Sequence, residues 1–378
     1  MSISESRIDM VNLHSQYMLL KEEIDSAMAQ VIASSDFING EQVKLFERAL
    51  ADFLSVKELI PCGNGTDALQ LALMALDLKP GDEVITTAFS FVASAEVIAL
   101  MGLKPVFADI NPLTFNIDPL DIERRLTKRT RVILPVHLFG QAADMSAIMQ
   151  LAHKYQLYVI EDVAQALGAC YNYKGETKHL GTIGNIGCTS FFPTKNLACF
   201  GDGGACYTDD PSLAERIRTL AAHGSRNRYY YDMIGLNSRL DSLQAAVLLC
   251  KLPHLDSFIE NRRTVAKQYD ELLADIPEIE IPGLQKGAIH SYNQYTIRVK
   301  DAKREKLMDE LKRAGVTSRV YYPLPLHRQK AFKDYVKAGD SLKHSDKACE
   351  EVLSLPMHES LDAKGVEYVA ASVRNFFK

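Results

Sequence analysis

The 378-residue chain contains no C-x-x-C pair, no apolar run near the roughly 18 residues of a membrane-spanning helix, and no excess of basic residues. Each absence excludes a class. The seven cysteines at positions 62, 170, 188, 199, 206, 250 and 349, an odd number without a pairing motif, favour reduced thiols over a disulfide framework or a zinc site. A net charge of −5 argues against a general nucleic-acid surface, so an anionic ligand has to be met by local cations. The opening stretch MSISESRIDMVNLHSQY lacks the apolar core of a signal peptide. The expected compartment is the cytoplasm, with neither nucleic acid nor a membrane as partner. Repeats and low-complexity tracts are lacking too, and with 47% apolar and 24% charged residues the chain reads as an ordinary globular protein.

What is present is a rhythm. From about residue 58, short apolar runs alternate with helical patterns: strands are expected at 83–87, 104–108, 131–136, 156–161 and 186–191, and helices near 65–77, 90–101, 144–154 and 210–222. Such alternation predicts an α/β fold, a mainly parallel sheet covered on both faces. After a long charged helical stretch near Leu252 the pattern changes to strands at 278–282 and 293–299 and helices at 301–314, 341–353 and 361–377. The reading is a large domain over 1–250 and a smaller C-terminal α+β domain over 251–378.

Chemistry first surfaces in Ser190-Phe191-Phe192-Pro193-Thr194-Lys195-Asn196, which sets one lysine inside an apolar, turn-rich segment ahead of Gly201-Asp202-Gly203-Gly204. An ammonium there is costly to desolvate: it either snorkels to water or reacts with its pKa lowered from about 10.4. Leu157-Tyr158-Val159-Ile160-Glu161-Asp162 reads as a buried strand ending in an acid, and open parallel sheets bind ligands beyond the carboxyl ends of their strands. A lysine and a strand-end aspartate together suggest pyridoxal 5'-phosphate. The lysine forms the Schiff base, and the aspartate keeps the pyridine nitrogen protonated so that the ring acts as an electron sink.

Other residues have two readings each. Gly65 and Thr66, in Cys62-Gly63-Asn64-Gly65-Thr66-Asp67, stand at a helix start where amides and a hydroxyl can hold a phosphate, or form a turn in which Thr66 or Asp67 is the cap. Phe89, in the loop after EVITT, can stack on a planar ring or be an ordinary core residue. Gln165 can reach a ring oxygen or cap a helix, and Ser190 can donate to a phosphate or be inert. The glycine cluster is no dinucleotide fingerprint, because it is not G-x-G-x-x-G and precedes the strand-like ACYT. Backbone tightness beside Lys195 explains it better. His137 and His223 are taken as structural.

The strings CGNGTDALQLAL, TTAFSFVASAE, EDVAQA, SFFPTKN with GDGGA, GLNSRLDSLQAA and YYPLPLH, spread over nearly the whole chain, resemble the DegT/DnrJ-type nucleotide-sugar aminotransferases. These are fold-type I pyridoxal-phosphate enzymes, so the resemblance implies a seven-stranded-type sheet in the large domain. It implies Lys195 as the Schiff-base lysine, Asp162 as the pyridinium partner, Phe89 as the stacking ring and Gln165 as the contact to the ring oxygen. Gly65, Thr66 and Ser190 match positions at the phosphate. Asn237 matches a position that reaches the phosphate from the other subunit, which implies a homodimer with shared active sites. Ala198 stands where relatives often have glycine, and Gln165 where some have histidine. Relatives with histidine in place of the lysine are sugar dehydratases; Lys195 favours transamination.

The resemblance further implies L-glutamate as amino donor, a nucleotide-linked keto sugar as acceptor, and ping-pong kinetics. Arg226 and Arg228 followed by three tyrosines, then Arg239, then Arg319 with Tyr321, Tyr322 and His327 combine cations for a diphosphate with aromatic surfaces for a base or sugar. Arg226 and Arg228 also fit a solvated loop, and Tyr321–Pro325 a segment merely held extended by prolines. The nearest likeness is to enzymes that aminate C3 of a UDP-linked N-acetyl keto uronic acid for surface polysaccharide, though NSRLDSLQAA also occurs in relatives acting on dTDP-linked keto deoxy sugars. The alternative from another class is a cofactor-binding regulator without turnover, for which no DNA-reading segment is visible.

Overall fold

A computed structural model describes residues 7–227, 229–336 and 340–378, so that Arg228 lies outside the described residues. The short apolar runs become β1 (Glu58–Cys62), β2 (Glu83–Thr87), β3 (Lys104–Ala108), β4 (Thr130–Leu134) and β5 (Tyr158–Asp162). They are followed by β6 (Cys170–Tyr173), β7 (Glu176–His179), β8 (Ile186–Ser190) and β9 (Gly204–Thr208). Seven of these form one sheet in the order β1-β9-β8-β5-β4-β2-β3. β9 pairs antiparallel with β1 and β8, while β8, β5, β4, β2 and β3 run parallel. This is the mainly parallel α/β sheet that the alternation predicts.

Neighbouring residues of one strand serve opposite cores. Val84, Val132 and Ile160 pack with Leu69, Leu73 and Val97 on one face; Ile85, Ile133 and Val159 pack with Phe46, Leu50 and Ile148 on the other. The two-residue period of a strand thus seals the sheet on both sides and leaves its carboxyl edge as the place for function.

The later part of the chain supplies β10 (Ile279–Glu280), β11 (Ala288–Ile289), β12 (Tyr295–Val299) and β13 (Val352–Leu355). β10, β12 and β13 make an antiparallel sheet backed by the helices Leu255–Leu273, Arg304–Arg313 and Ala363–Phe376, whereas β11 joins β6 and β7. The helix expected at 341–353 ends at Glu351, and Val352–Leu355 pairs with β12 instead. With no glycine or proline between helix and strand, periodicity alone runs the helix too far. At the other end of the chain Ile8 bridges to Val316, and Met357 N–H donates to the Met10 carbonyl. Among the described residues no helix is long and apolar enough to cross a membrane.

Candidate active site

β5 delivers two adjacent acids to different duties. Glu161 is fully buried and accepts from the amides of Gly181, Ile183 and Gly184 at 2.8, 2.8 and 2.6 Å, with His137 Nε2 at 2.9 Å. Because His137 Nδ1 accepts from Ala143 N–H at 3.0 Å, the ring carries its proton on Nε2 and donates it to Glu161. Glu161 is therefore saturated. Asp162, on the opposite parity, accepts from Ala164 N–H at 3.0 Å and keeps capacity for another partner. Its backbone is pinned to the β4 exit, its N–H donating to the Pro135 carbonyl at 2.9 Å and its carbonyl accepting from His137 N–H at 3.0 Å.

Lys195 faces this acid from the β8–β9 connection. Burial pulls its pKa down and Asp162 opposes that; burial pushes Asp162 up, against the Ala164 amide, Lys195 and His137. An amine tending to neutrality beside an acid tending to protonation suits a nucleophile next to a carboxyl that ionises when a cation is set against it.

The anion cradle lies beside them. Asn64, rather than Thr66 or Asp67, caps the helix Gly65–Ala75, its Oδ1 accepting from Asp67 N–H at 2.8 Å. The Thr66 hydroxyl is thereby spared, and the first-turn amides have no carbonyl one turn back. A Cβ on Gly65 would lie 2.7 Å from Ser190 Cβ, and one on Gly204 would lie 2.4 Å from the Asn64 carbonyl oxygen. Glycine at these two positions lets the helix start, Ser190 and β9 converge. Ser190 Oγ accepts from Phe192 N–H at 3.3 Å and keeps its own proton to donate.

Two aromatic residues of the loop after β2 differ in exposure. Phe89 is 0% exposed, closed in by Phe115, Phe139 and Tyr322, and has no open face for a ligand ring. Phe91, which sequence reasoning did not single out, is 57% exposed with its ring 6.4 Å from that of Tyr322. Gln165 accepts from Phe139 N–H at 2.7 Å and donates to the Tyr322 hydroxyl at 3.0 Å, which leaves one amide hydrogen for a ligand. Burial pushes the Tyr322 phenol up.

Of the candidate substrate residues, His327 is paired with Asp346. It is 7% exposed, with Nε2 3.3 Å from Asp346, and borders a cavity of about 360 Å³ at the β3 edge of the sheet together with Lys104, Asp121 and Arg125. Arg226 sits in exposed ion pairs with Glu215 and Asp232 at 3.5 and 3.9 Å. Exposed Arg319 extends the small sheet through backbone bonds to Ser354 and lies near Tyr321. Asn237 and Arg239 are exposed, whereas Ser238 between them turns inward, donating to Asp67 at 2.6 Å and accepting from Gly63 N–H at 2.9 Å.

A lysine facing a strand-end acid, with an amide-and-hydroxyl cradle beside them, fits the aldehyde, ring nitrogen and phosphate of pyridoxal 5'-phosphate. Comparison with known proteins agrees. The DegT/DnrJ/EryC1/StrS aminotransferase family model matches residues 19–374. The "Pleiotropic regulatory protein" of Geobacillus stearothermophilus is 46% identical over 98% of this chain and 99% of its own length. The UDP-2-acetamido-2-deoxy-3-oxo-D-glucuronate aminotransferase of Pseudomonas aeruginosa is 45% identical over 97% of this chain and 100% of its own. The crystal structure of S. venezuelae DesV in complex with a ketimine intermediate superposes with a TM-score of 0.94 at 37% identity, covering 98% of this chain and 99% of that one. The chain belongs to the DegT/DnrJ/EryC1/StrS family and is a pyridoxal-phosphate-dependent sugar aminotransferase.

Proposed function

We propose that the protein moves an amino group from L-glutamate to C3 of a UDP-linked N-acetyl keto uronic acid in the cytoplasm, for surface polysaccharides such as lipopolysaccharide. The juxtaposition of Lys195 and Asp162 at the carboxyl edge of the sheet carries the transamination reading. The acceptor follows the Pseudomonas aeruginosa relative, whose name states a UDP-linked 3-oxo-glucuronate.

When bound, pyridoxal 5'-phosphate supplies an aldehyde for a lysine and a ring that accepts electron density. Lys195, favoured neutral by burial, would be the covalent anchor and, when free, its Nζ would be the base that takes up and returns a proton in the site. Asp162 sets its carboxylate against the ring nitrogen. Gly65, Thr66 and Ser190 hold the phosphate, Gln165 turns its remaining amide hydrogen to the ring oxygen, and Phe91 offers the stacking face in place of Phe89. Arg239, Arg319, Tyr321 and Tyr322 meet the nucleotide sugar, and so does Arg226, whose exposed pairs are weak enough to yield to a diphosphate.

Asn237, turned outward, serves a second copy of the chain in a homodimer with shared active sites. Residues 1–250 act as the cofactor domain and 251–378 as the smaller domain. A regulatory reading takes its support from the name of the Geobacillus stearothermophilus relative; the lysine, acid and cradle speak for turnover.

The test is optical. L-glutamate should bleach the visible absorbance of the reconstituted enzyme, the UDP-linked keto uronate should restore it, and initial-rate lines should be parallel. Glutamate without effect sinks the donor, restoration by a dTDP-linked keto sugar alone sinks the acceptor, and bleaching that no keto sugar reverses favours the regulator.

A further inference from the structure

Asn293, 3% exposed in the loop before β12, donates to the Thr194 carbonyl at 3.1 Å and to the Asn196 side-chain oxygen at 3.1 Å, gripping both neighbours of Lys195. Its orientation is fixed, because a carbonyl can only accept. Asn196 extends the grip by donating to the Leu167 and Ser291 carbonyls at 3.5 and 3.3 Å.

The same loop is seated on the opposite side of the site. Ser291 N–H donates to the Gly140 carbonyl at 3.0 Å and Gln294 N–H to the Phe139 carbonyl at 3.3 Å. A Cβ on Gly140 would lie 2.9 Å from the amides of both Tyr292 and Asn293, so the fit has no slack. Phe139 N–H in turn holds Gln165. Ser291, Asn293 and Gln294 thus tie the Lys195 loop to the Phe139–Gly140 turn that holds Gln165. Among the described residues Asn293 Oδ1 has no partner, a buried unmet acceptor that an apolar residue there would avoid. The residue's worth lies in its two N–H bonds.

We propose that Asn293 is the positioning residue of Lys195: its carboxamide fixes Thr194 and Asn196, so that the lysine is presented from one pivot both when joined to the cofactor and when freed. A lysine has four side-chain torsions, and unfixed flanks would multiply the places its amine can visit. The proposal rests on Lys195 being the anchor.

Asn293→Asp keeps the shape and withdraws both donors, while Asn293→Ser keeps one. Thr296→Ala, which removes the buried Thr296–Ser354 hydroxyl pair of 2.8 Å three residues further on, serves as the control for stability. In the reconstituted enzyme Asn293→Asp should lower kcat about 10- to 100-fold with the KM for L-glutamate within about twofold. The pH midpoint of the visible absorbance should rise, since a new carboxylate against the two flanks of Lys195 favours the protonated form of its nitrogen; Asp162, which faces Lys195, and Arg262, His358 and Glu359, which line a small cavity with it, are common to every variant. Asn293→Ser should fall between, and Thr296→Ala should lower Tm alone. A folded Asn293→Asp with kcat and midpoint unmoved, or with KM alone changed, overturns the proposal; should it aggregate, Asn293→Ser with wild-type kcat and midpoint does the same. A wild-type absorbance that survives in Lys195→Ala would instead count against Lys195 as anchor.

Discussion

Replacing Gly204 by alanine tests how the phosphate cradle is built. The new Cβ would fall 2.4 Å from the Asn64 carbonyl oxygen, 2.5 Å from its carbon and 2.8 Å from the Gly65 nitrogen. Ordinary contact begins near 3.4 Å, so the helix start must retreat by about 1 Å, a displacement that matters at a binding site. None of the atoms met is a flexible side-chain end; all are backbone, held by the Asn64 cap and by the pairing of Cys62 with Gly204. Overpacking of this kind costs about 1–3 kcal/mol. Because the retreat opens the cradle rather than the core, most of it should fall on the cofactor, raising the Kd for pyridoxal 5'-phosphate about 5- to 150-fold. The neighbouring glycines give an internal scale. At Gly203 the Cβ would meet Leu240 Cδ1 at 3.0 Å and Cys199 Sγ at 3.1 Å, and at Gly201 only the Gln244 amide end at 3.2 Å, which can turn away. Absorbance titration of the three apoenzyme variants should rank them Gly204→Ala weakest, Gly203→Ala intermediate and Gly201→Ala near wild type, with circular dichroism checking the fold. Equal affinity for Gly204→Ala and Gly201→Ala would refute the close approach of β9 to the helix start as the basis of the cradle.

Asp162→Asn preserves the bond from Ala164 N–H but cannot neutralise a protonated ring nitrogen, so kcat should fall at least about 100-fold; a kcat within about threefold of wild type would remove Asp162 from the mechanism. Burial, with Arg263 adding to it, drives His290 down to about 3, against about 6.5 for an unfolded histidine. Between those values the unfolded chain binds a proton that the folded chain refuses, so stability falls as pH drops through the window, by up to about 1.4 kcal/mol per pH unit. Urea melts across that window should show a flatter acid limb for His290→Gln, and an unchanged slope would exclude this histidine as the source.

What can be read from sequence is what neighbouring residues decide together. Lys195 between its flanking residues, Asp162 at a strand end and Gly65 at a helix start are each local patterns, and the structure brings them to one edge of the sheet. Phe89 and Phe91 share the same parity in the chain, and only the tertiary packing of Phe115, Phe139 and Tyr322 tells the closed ring from the open one. His327 is committed by Asp346, a pairing made by a turn and a helix that meet only in the folded chain. Asn293 lies in HSYNQY, a string without a motif, and its partner Thr194 is 99 positions away.

Residues 9 and 16 are held by contacts that bear on the order of events in folding. The Thr317 hydroxyl donates to Asp9, 308 positions away, and the Gln16 amide donates to Glu359, 343 positions away. Asn12 and Gln16 line, with Lys195, Arg262 and Glu359, the small cavity behind the lysine loop. The wall made by Asn12 and Gln16 therefore closes only once contacts between segments 308 and 343 positions apart have formed, the slowest kind to assemble.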